Sequence, residues 1–155
     1  MNQNPTIGEK IPDFIAPMTS NKTFTLHDYQ GKTIVLMFYP KDNTPGCTDE
    51  NKDFAANYKK FQALGVEVFG LSRDSIRKHE NFKVKLELPY ELISDADEVI
   101  CNFFNLLKQK SMFGKKYIGI ERSTFIISPK GTLQQEWRKV KIEGHVTEVL
   151  NALSL

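Results

Sequence analysis

The chain has 155 residues, 40% hydrophobic and 26% charged, with 21 basic against 19 acidic side chains for a net charge of +2. That length suits one domain spanning residues 1–155 with a core of its own, and the composition excludes a disordered chain. Interspersed charges near balance exclude the basic stripe that nucleic-acid binding requires. The longest apolar run, residues 34–39, is far short of the roughly 20 residues that span a bilayer. Two cysteines, Cys47 and Cys101, are too few for a disulfide scaffold or a four-thiolate zinc site. Residues 1–5 carry neither a charged nor an apolar leader segment, so the expectation is a reduced, cytoplasmic protein with free thiols.

In chain order, residues 11–32 hold turn residues and short alternations that suit a small hairpin. Residues 33–39 form an apolar run stopped by Pro40, the pattern of a central strand covered on both faces. Phe54, Tyr58, Phe61 and Leu64 fall on one face of a helix that Gly65 ends. A second strand at 66–71 runs into the polar turn Ser72-Arg73-Asp74, and Ser75 then caps a helix over 76–86. Residues 90–93 read as a short strand, and Asp95 or Asp97 caps a short helix through Phe103. A strand at 123–127 is stopped by Ser128-Pro129-Lys130-Gly131, and the alternation at 132–137 pairs back across that turn. The last helix, 145–153, puts Val146, Val149, Leu150 and Leu153 on one side. This order predicts an α/β sandwich, a central mixed sheet flanked by helices. It resembles the thioredoxin-like arrangement with an N-terminal hairpin extension.

The segment after the first central strand, Tyr39-Pro40-Lys41-Asp42-Asn43-Thr44-Pro45-Gly46-Cys47-Thr48-Asp49-Glu50, lies where open α/β sheets place their sites, beyond the C-terminal ends of the strands. Thr44 reads as an N-cap and Pro45 as the first helical residue, which makes Cys47 the third. Free amides and the positive end of the helix dipole favour an anionic sulfur there. Thr44's hydroxyl, reaching toward the Cys47 amide, would also lie near the sulfur. Asp49 and Glu50 oppose that charge, so a cation is expected from elsewhere in the fold. A buried cysteine with no chemistry is the alternative reading of the same position.

Other chemistries fit less well. A dithiol oxidoreductase would carry its second cysteine where Glu50 stands. His27, His79 and His145 belong to no catalytic signature and read as surface histidines, and no His or Cys pair stands at metal-ligand spacing. Phe113-Gly114-Lys115-Lys116 lacks the glycines and hydroxyl of a phosphate loop.

Pro40-x-x-x-Thr44-x-x-Cys47 resembles the active-site signature of the peroxiredoxins, thiol peroxidases on an extended thioredoxin fold. Residues 38–48, Gly119-Ile120-Glu121-Arg122-Ser123-Thr124-Phe125 and Trp137-Arg138-Lys139-Val140-Lys141 followed by Gly144-His145 resemble its bacterioferritin-comigratory (PrxQ) branch. The resemblance implies that Cys47 attacks hydrogen peroxide or a small organic hydroperoxide and becomes a sulfenic acid, without metal, haem or flavin. It implies that Thr44 holds sulfur and peroxide, that Arg122 is the missing cation and that Pro40 shields the thiolate. A surface ion pair of Arg122 with Glu121 is the alternative for that residue, and Trp137 reads as packing.

The sequence departs from the branch at the resolving cysteine, because its two usual places are Lys52 and, by alignment, Lys83. Cys101 is the only other thiol, and its neighbours Val99, Ile100, Phe103 and Phe104 mark it as structural. No apolar anchor precedes Phe54 among Lys52 and Asp53, so the first turn of the Cys47 helix reads as weakly held. The expected reductant is therefore an external thiol, from thioredoxin, glutaredoxin or a low-molecular-weight thiol, acting on a monomer. A non-enzymatic peroxide sensor or redox chaperone using the same cysteine is the alternative outside enzymes.

Overall fold

Alternation along one strand organises the molecule. In β3 (Thr33–Phe38), Ile34, Leu36 and Phe38 point into one apolar cluster, while Val35, Met37 and the following Tyr39 point into another. Both sets are buried, which is why the run shows no polar alternation. The computed structural model describes residues 4–154; residues 1–3, part of the segment where a leader would be sought, and residue 155 lie outside the described residues.

Around β3 stand β1 (Ile15–Met18), β2 (Lys22–Thr25), β4 (Val66–Ser72), β5 (Glu91–Ser94), β8 (Ser123–Ile127) and β9 (Leu133–Arg138) in the order β2-β1-β5-β4-β3-β8-β9. β3 pairs parallel with β4 and antiparallel with β8, β4 pairs parallel with β5, and the β1–β2 hairpin joins antiparallel to β5. The mixed α/β sheet and its N-terminal hairpin are those the sequence predicts. Helices α1 (Pro45–Ala56), α2 (Tyr58–Ala63), α3 (Ile76–Leu86) and α5 (His145–Leu153) send Phe54, Phe61, Phe82, Val146 and Val149 to the face of Val35 and Met37. The opposite face receives Ile100, Cys101 and Phe103 of α4 (Val99–Phe103) together with Phe104 and the hairpin's Phe24. Cys47 belongs to the first cluster and Cys101 to the second, so the central sheet lies between the two thiols.

Two features differ from expectation. The helix through Phe54 and Leu64 is two helices broken at Asn57, although Phe54 and Phe61 still stack at 5.7 Å. The Asn57 side-chain amide donates to the Asp53 carbonyl at 2.8 Å, the acceptor that its own backbone N–H would use, and that N–H turns to Phe54 instead. A separate two-stranded sheet, β6 (Leu107–Met112) with β7 (Lys115–Ile120), was not foreseen. Its strands are lysine-rich and largely exposed, so they carry no hydrophobic period; the turn at Phe113 and Gly114, both at positive φ, is its one sequence signal.

Gly70 of β4 shows how close the packing is beneath the site. A Cβ there would stand 2.6 Å from Leu92 Cδ2 and 3.2 Å from Tyr39 Cε1. Gly70→Ala is expected to lower unfolding stability by about 1–3 kcal/mol through overpacking, read by chemical denaturation. Wild-type stability in that variant would contradict this packing.

Candidate active site

Thr44 is the N-cap of α1 with extended backbone, Pro45 follows as the first helical residue, and Cys47 is third, as the sequence predicts. The Thr44 hydroxyl departs from expectation. It makes no cap bond and donates to the Lys41 carbonyl at 2.8 Å, which closes the loop on itself. The first-turn amides have no partner within the helix by its geometry, and the dipole's positive end sits with them.

Cys47 is 1% exposed, and Arg122 Nη2 lies 3.5 Å from its Sγ. Arg122 stands just before β8, which pairs directly with β3, so the sheet itself delivers the guanidinium to the end of the strand that leads into Cys47. Its other nitrogen, Nη1, donates to Glu50 Oε1 at 2.6 Å. The expected cation is therefore present, and its carboxylate partner is Glu50 rather than the adjacent Glu121. Burial works against the Arg122 charge, but Glu50 and Cys47 outweigh it and raise its pKa. Burial pushes the Glu50 carboxyl up to about 7 while Arg122 pulls it down, and Glu50 Oε2 is buried without a hydrogen-bond partner. Gly46 has a reason as well, since a Cβ there would meet Ile142 Cδ1 at 3.2 Å and Arg122 Nη2 at 3.4 Å.

The turn around Cys47 is held more firmly than its sequence suggests. Asn51, fully buried, donates from Nδ2 to the Cys47 carbonyl at 2.9 Å. Its Oδ1 accepts from the buried Tyr90 hydroxyl at 2.7 Å, and this pair of partners fixes the amide's orientation. A polar residue at the inner face of a helix leaves no hydrophobic period to read, so Asn51 had no signal in the pattern, and nothing in the short strand read at 90–93 announced its bond to Tyr90.

Pro40, Thr44, Cys47 and Arg122 share one cavity of about 840 Å³, walled on its outer side by Lys110 and Tyr117 of the β6–β7 hairpin. Another cavity, of about 750 Å³ beside Glu136 and Arg138, holds no thiol, so size alone does not mark the site. Cys101 is fully buried away from this cavity, and burial together with the nearby Asp95 carboxylate pushes its thiol pKa up. Asp95 accepts from the Ile100 and Cys101 amides, the helix start foreseen for α4. Lys52 is exposed, and Lys83 is tied to Glu91 at 2.6 Å.

The histidines require correction. Only His27 is on the surface; His79 and His145 are buried. His145 Nε2 meets Thr124 Oγ1 at 2.8 Å, and its ring packs edge-on against Trp137, whose role is the packing expected of it. Burial, then Arg122, lowers the His145 pKa to about 4, so it stands neutral behind the guanidinium at neutral pH. His79 bonds to Asp42 in the loop between β3 and α1. Neither burial was visible because each ring pairs with a group far away in the chain.

Comparison with known proteins gives a consistent result. The model of the AhpC/TSA family matches residues 7–136. Peroxiredoxin Bcp of Bacillus subtilis is 48% identical over 147 residues, covering 95% of this chain and 94% of that protein. A putative peroxiredoxin of Coxiella burnetii is 44% identical over 147 residues, with 95% and 97% covered. The solved bacterioferritin comigratory protein of Xanthomonas campestris, described with its alkyl peroxide reduction activity, superposes with a TM-score of 0.89 at 42% identity, covering 96% of this chain and 98% of its own. The thiol, guanidinium and pocket thus sit on a backbone shared with these proteins, and the chain belongs to the AhpC/TSA family as a peroxiredoxin of the bacterioferritin-comigratory (PrxQ) type.

Proposed function

We propose that Cys47 is the peroxidatic nucleophile of this thiol peroxidase, acting on hydrogen peroxide and small organic hydroperoxides. The observation that carries the reading is the Cys47 sulfur in a first helical turn with Arg122 Nη2 at 3.5 Å, inside a cavity shared with Pro40 and Thr44. The thiolate attacks the terminal peroxide oxygen; an S–O bond forms as the O–O bond breaks, and the leaving hydroxide or alkoxide takes a proton from water. Arg122 and the first-turn amides stabilise charge as it moves from sulfur along the two oxygens. Thr44 has committed its proton to Lys41, so its oxygen lone pairs remain to accept from the peroxide O–H. Pro40 keeps bulk water from the sulfur. The alkyl peroxide reduction described for the X. campestris relative supports including organic hydroperoxides.

The product is a sulfenic acid, and an external thiol recycles it. That thiol attacks the Cys47 sulfur, releases water and forms a mixed disulfide, which a second thiol opens to return the Cys47 thiol. Cys101 does not serve, since the sheet separates it from Cys47 and a disulfide needs Cα atoms within about 7 Å. Thioredoxin, glutaredoxin or a low-molecular-weight thiol fits this role in the cytoplasm, where thiols are kept reduced. In this reading the enzyme acts as a monomer. No helix among the described residues is long and apolar enough to cross a membrane.

Peroxide turnover with a thiol reductant should vanish in Cys47→Ser and largely persist in Cys101→Ser. Turnover above the uncatalysed rate in a folded Cys47→Ser protein would end this reading, and collapse in Cys101→Ser would make Cys101 the resolving thiol. Stopped-flow oxidation of Arg122→Ala should be slower by about 1–3 kcal/mol in barrier, with Arg122→Lys recovering part because lysine lacks the planar fork. An unchanged rate in Arg122→Ala would leave the arginine a structural role only.

A further inference from the structure

Pro40 and Thr44 belong to the short loop, residues 39–44, between β3 and α1, and one side chain pins that loop to the rest of the molecule. Asp42, 4% exposed, accepts from the Tyr39 hydroxyl at Oδ1 (2.6 Å) and faces His79 Nδ1 from Oδ2 (2.7 Å). Its backbone N–H donates to Asp74 Oδ2 at 2.9 Å. His79, fully buried on α3, also has Nε2 3.0 Å from the Ile93 carbonyl of β5. A carbonyl only accepts, and a carboxylate that already accepts from Tyr39 stands on the other side. Nε2 therefore carries the hydrogen given to Ile93, and Nδ1 shares a hydrogen with the Asp42 carboxyl on the other side. Asp42, Asp74 and His79 bring ligand-type atoms within 4.8 Å of one another, but hydrogen bonds already engage them: Asp74 Oδ2 accepts from Ser72 as well as from the Asp42 amide.

The loop is tightly wound about this pin. Asn43 takes a positive φ of 64°, and the Thr44 hydroxyl closes back on Lys41. With so short a loop fixed at Asp42, Pro40 two residues before it and Thr44 two residues after it cannot move independently of that side chain. Both line the cavity with Cys47, and so does Asp74, the acceptor of the Asp42 amide. The sulfur itself is held by other contacts, from Arg122 and through Asn51, that do not involve this cluster.

We propose that His79 is a positioning residue of the peroxidase: by clasping Asp42 it sets Pro40 and Thr44 against Cys47 and so shapes the peroxide cradle without touching sulfur or peroxide. This rests on the reading that Pro40 and Thr44 form that cradle. Displacement of about 1 Å at such a cradle is enough to cost on the order of a hundredfold in rate, whereas a reaction of Cys47 that needs no cradle should not respond.

The test uses two half-replacements of the ring. His79→Asn keeps an N–H where Nδ1 faces Asp42 and gives up the bond to Ile93; His79→Gln keeps the N–H facing Ile93 and gives up the clasp. Stopped-flow oxidation by hydrogen peroxide and alkylation by iodoacetamide are measured in each full-length protein, alongside thermal stability. His79→Gln should lose at least about tenfold in the peroxide rate constant, His79→Asn should stay within about threefold of wild type, and alkylation should stay within about twofold in both. Equal peroxide rates in the two variants, or peroxide and alkylation rates falling together, would overturn the proposal, since a merely structural histidine makes no such distinction. Should His79→Gln not fold, Asp42→Asn, which keeps the side chain's size and the backbone bond to Asp74, carries the same expectation of slow oxidation with normal alkylation. A wild-type peroxide rate in Asp42→Asn would overturn the clasp. Residual turnover in Cys47→Ser, run in parallel, would instead remove the underlying reading.

Discussion

A single half-buried guanidinium joins the parts of this site. Arg122 donates from one nitrogen to Glu50 and turns the other to the Cys47 sulfur, so it touches both ionisable groups that α1 carries inward. The Glu50 carboxyl and the Cys47 sulfur, three residues apart on one helix face, would repel each other in a low-dielectric interior whenever both carry charge. The fold meets that by placing Arg122 at the start of β8, in register beside β3, so that sheet pairing fixes the cation against the helix start. Gly46 leaves room for it, and neutral His145 lies behind it without adding a second positive charge. Removing one member of such a group strands another, which makes these residues interdependent.

The sheet has a second consequence. Because β3 is buried on both faces, it separates the molecule into two apolar compartments, and the two cysteines fall in different ones. One thiol meets a cation and a solvent-reaching cavity; the other meets phenylalanines and the Asp95 carboxylate, which opposes ionisation. Identical side chains thus meet different surroundings. Local unwinding of α1 would not by itself carry Cys47 through the strands, an arrangement that fits the proposed reduction by an external thiol. The same first turn is braced by Asn51 and Tyr90, so access for a reductant has to be gained against those hydrogen bonds.

Much of the frame was legible in the sequence because it rests on burial periodicity and punctuation. The run at 33–39, the turn after Ile127 and the cap at Ser75 each reflect a local rule, and α3 and α5 have the bounds those rules imply. Cys47 was legible for the same reason, since Thr44-Pro45 marks a helix start three residues before it. The rest depends on partners distant in sequence. Asp42 and His79 are 37 residues apart, Asn51 and Tyr90 39, and Glu50 and Arg122 72, and no period or spacing announces such pairs. The break at Asn57 and the lysine-rich β6–β7 hairpin were missed because side-chain bonding to the backbone and exposed strands both evade hydrophobic patterning.

The account turns on where the oxygen goes when this protein meets peroxide. Intact mass spectrometry of the reduced chain after one equivalent of hydrogen peroxide, followed by peptide mapping, reads this directly. The account predicts a gain of one oxygen atom, carried by Cys47 and removed by an added thiol. Loss of two hydrogens, with a peptide linking Cys47 to Cys101, would contradict it, as would oxidation that begins at Cys101.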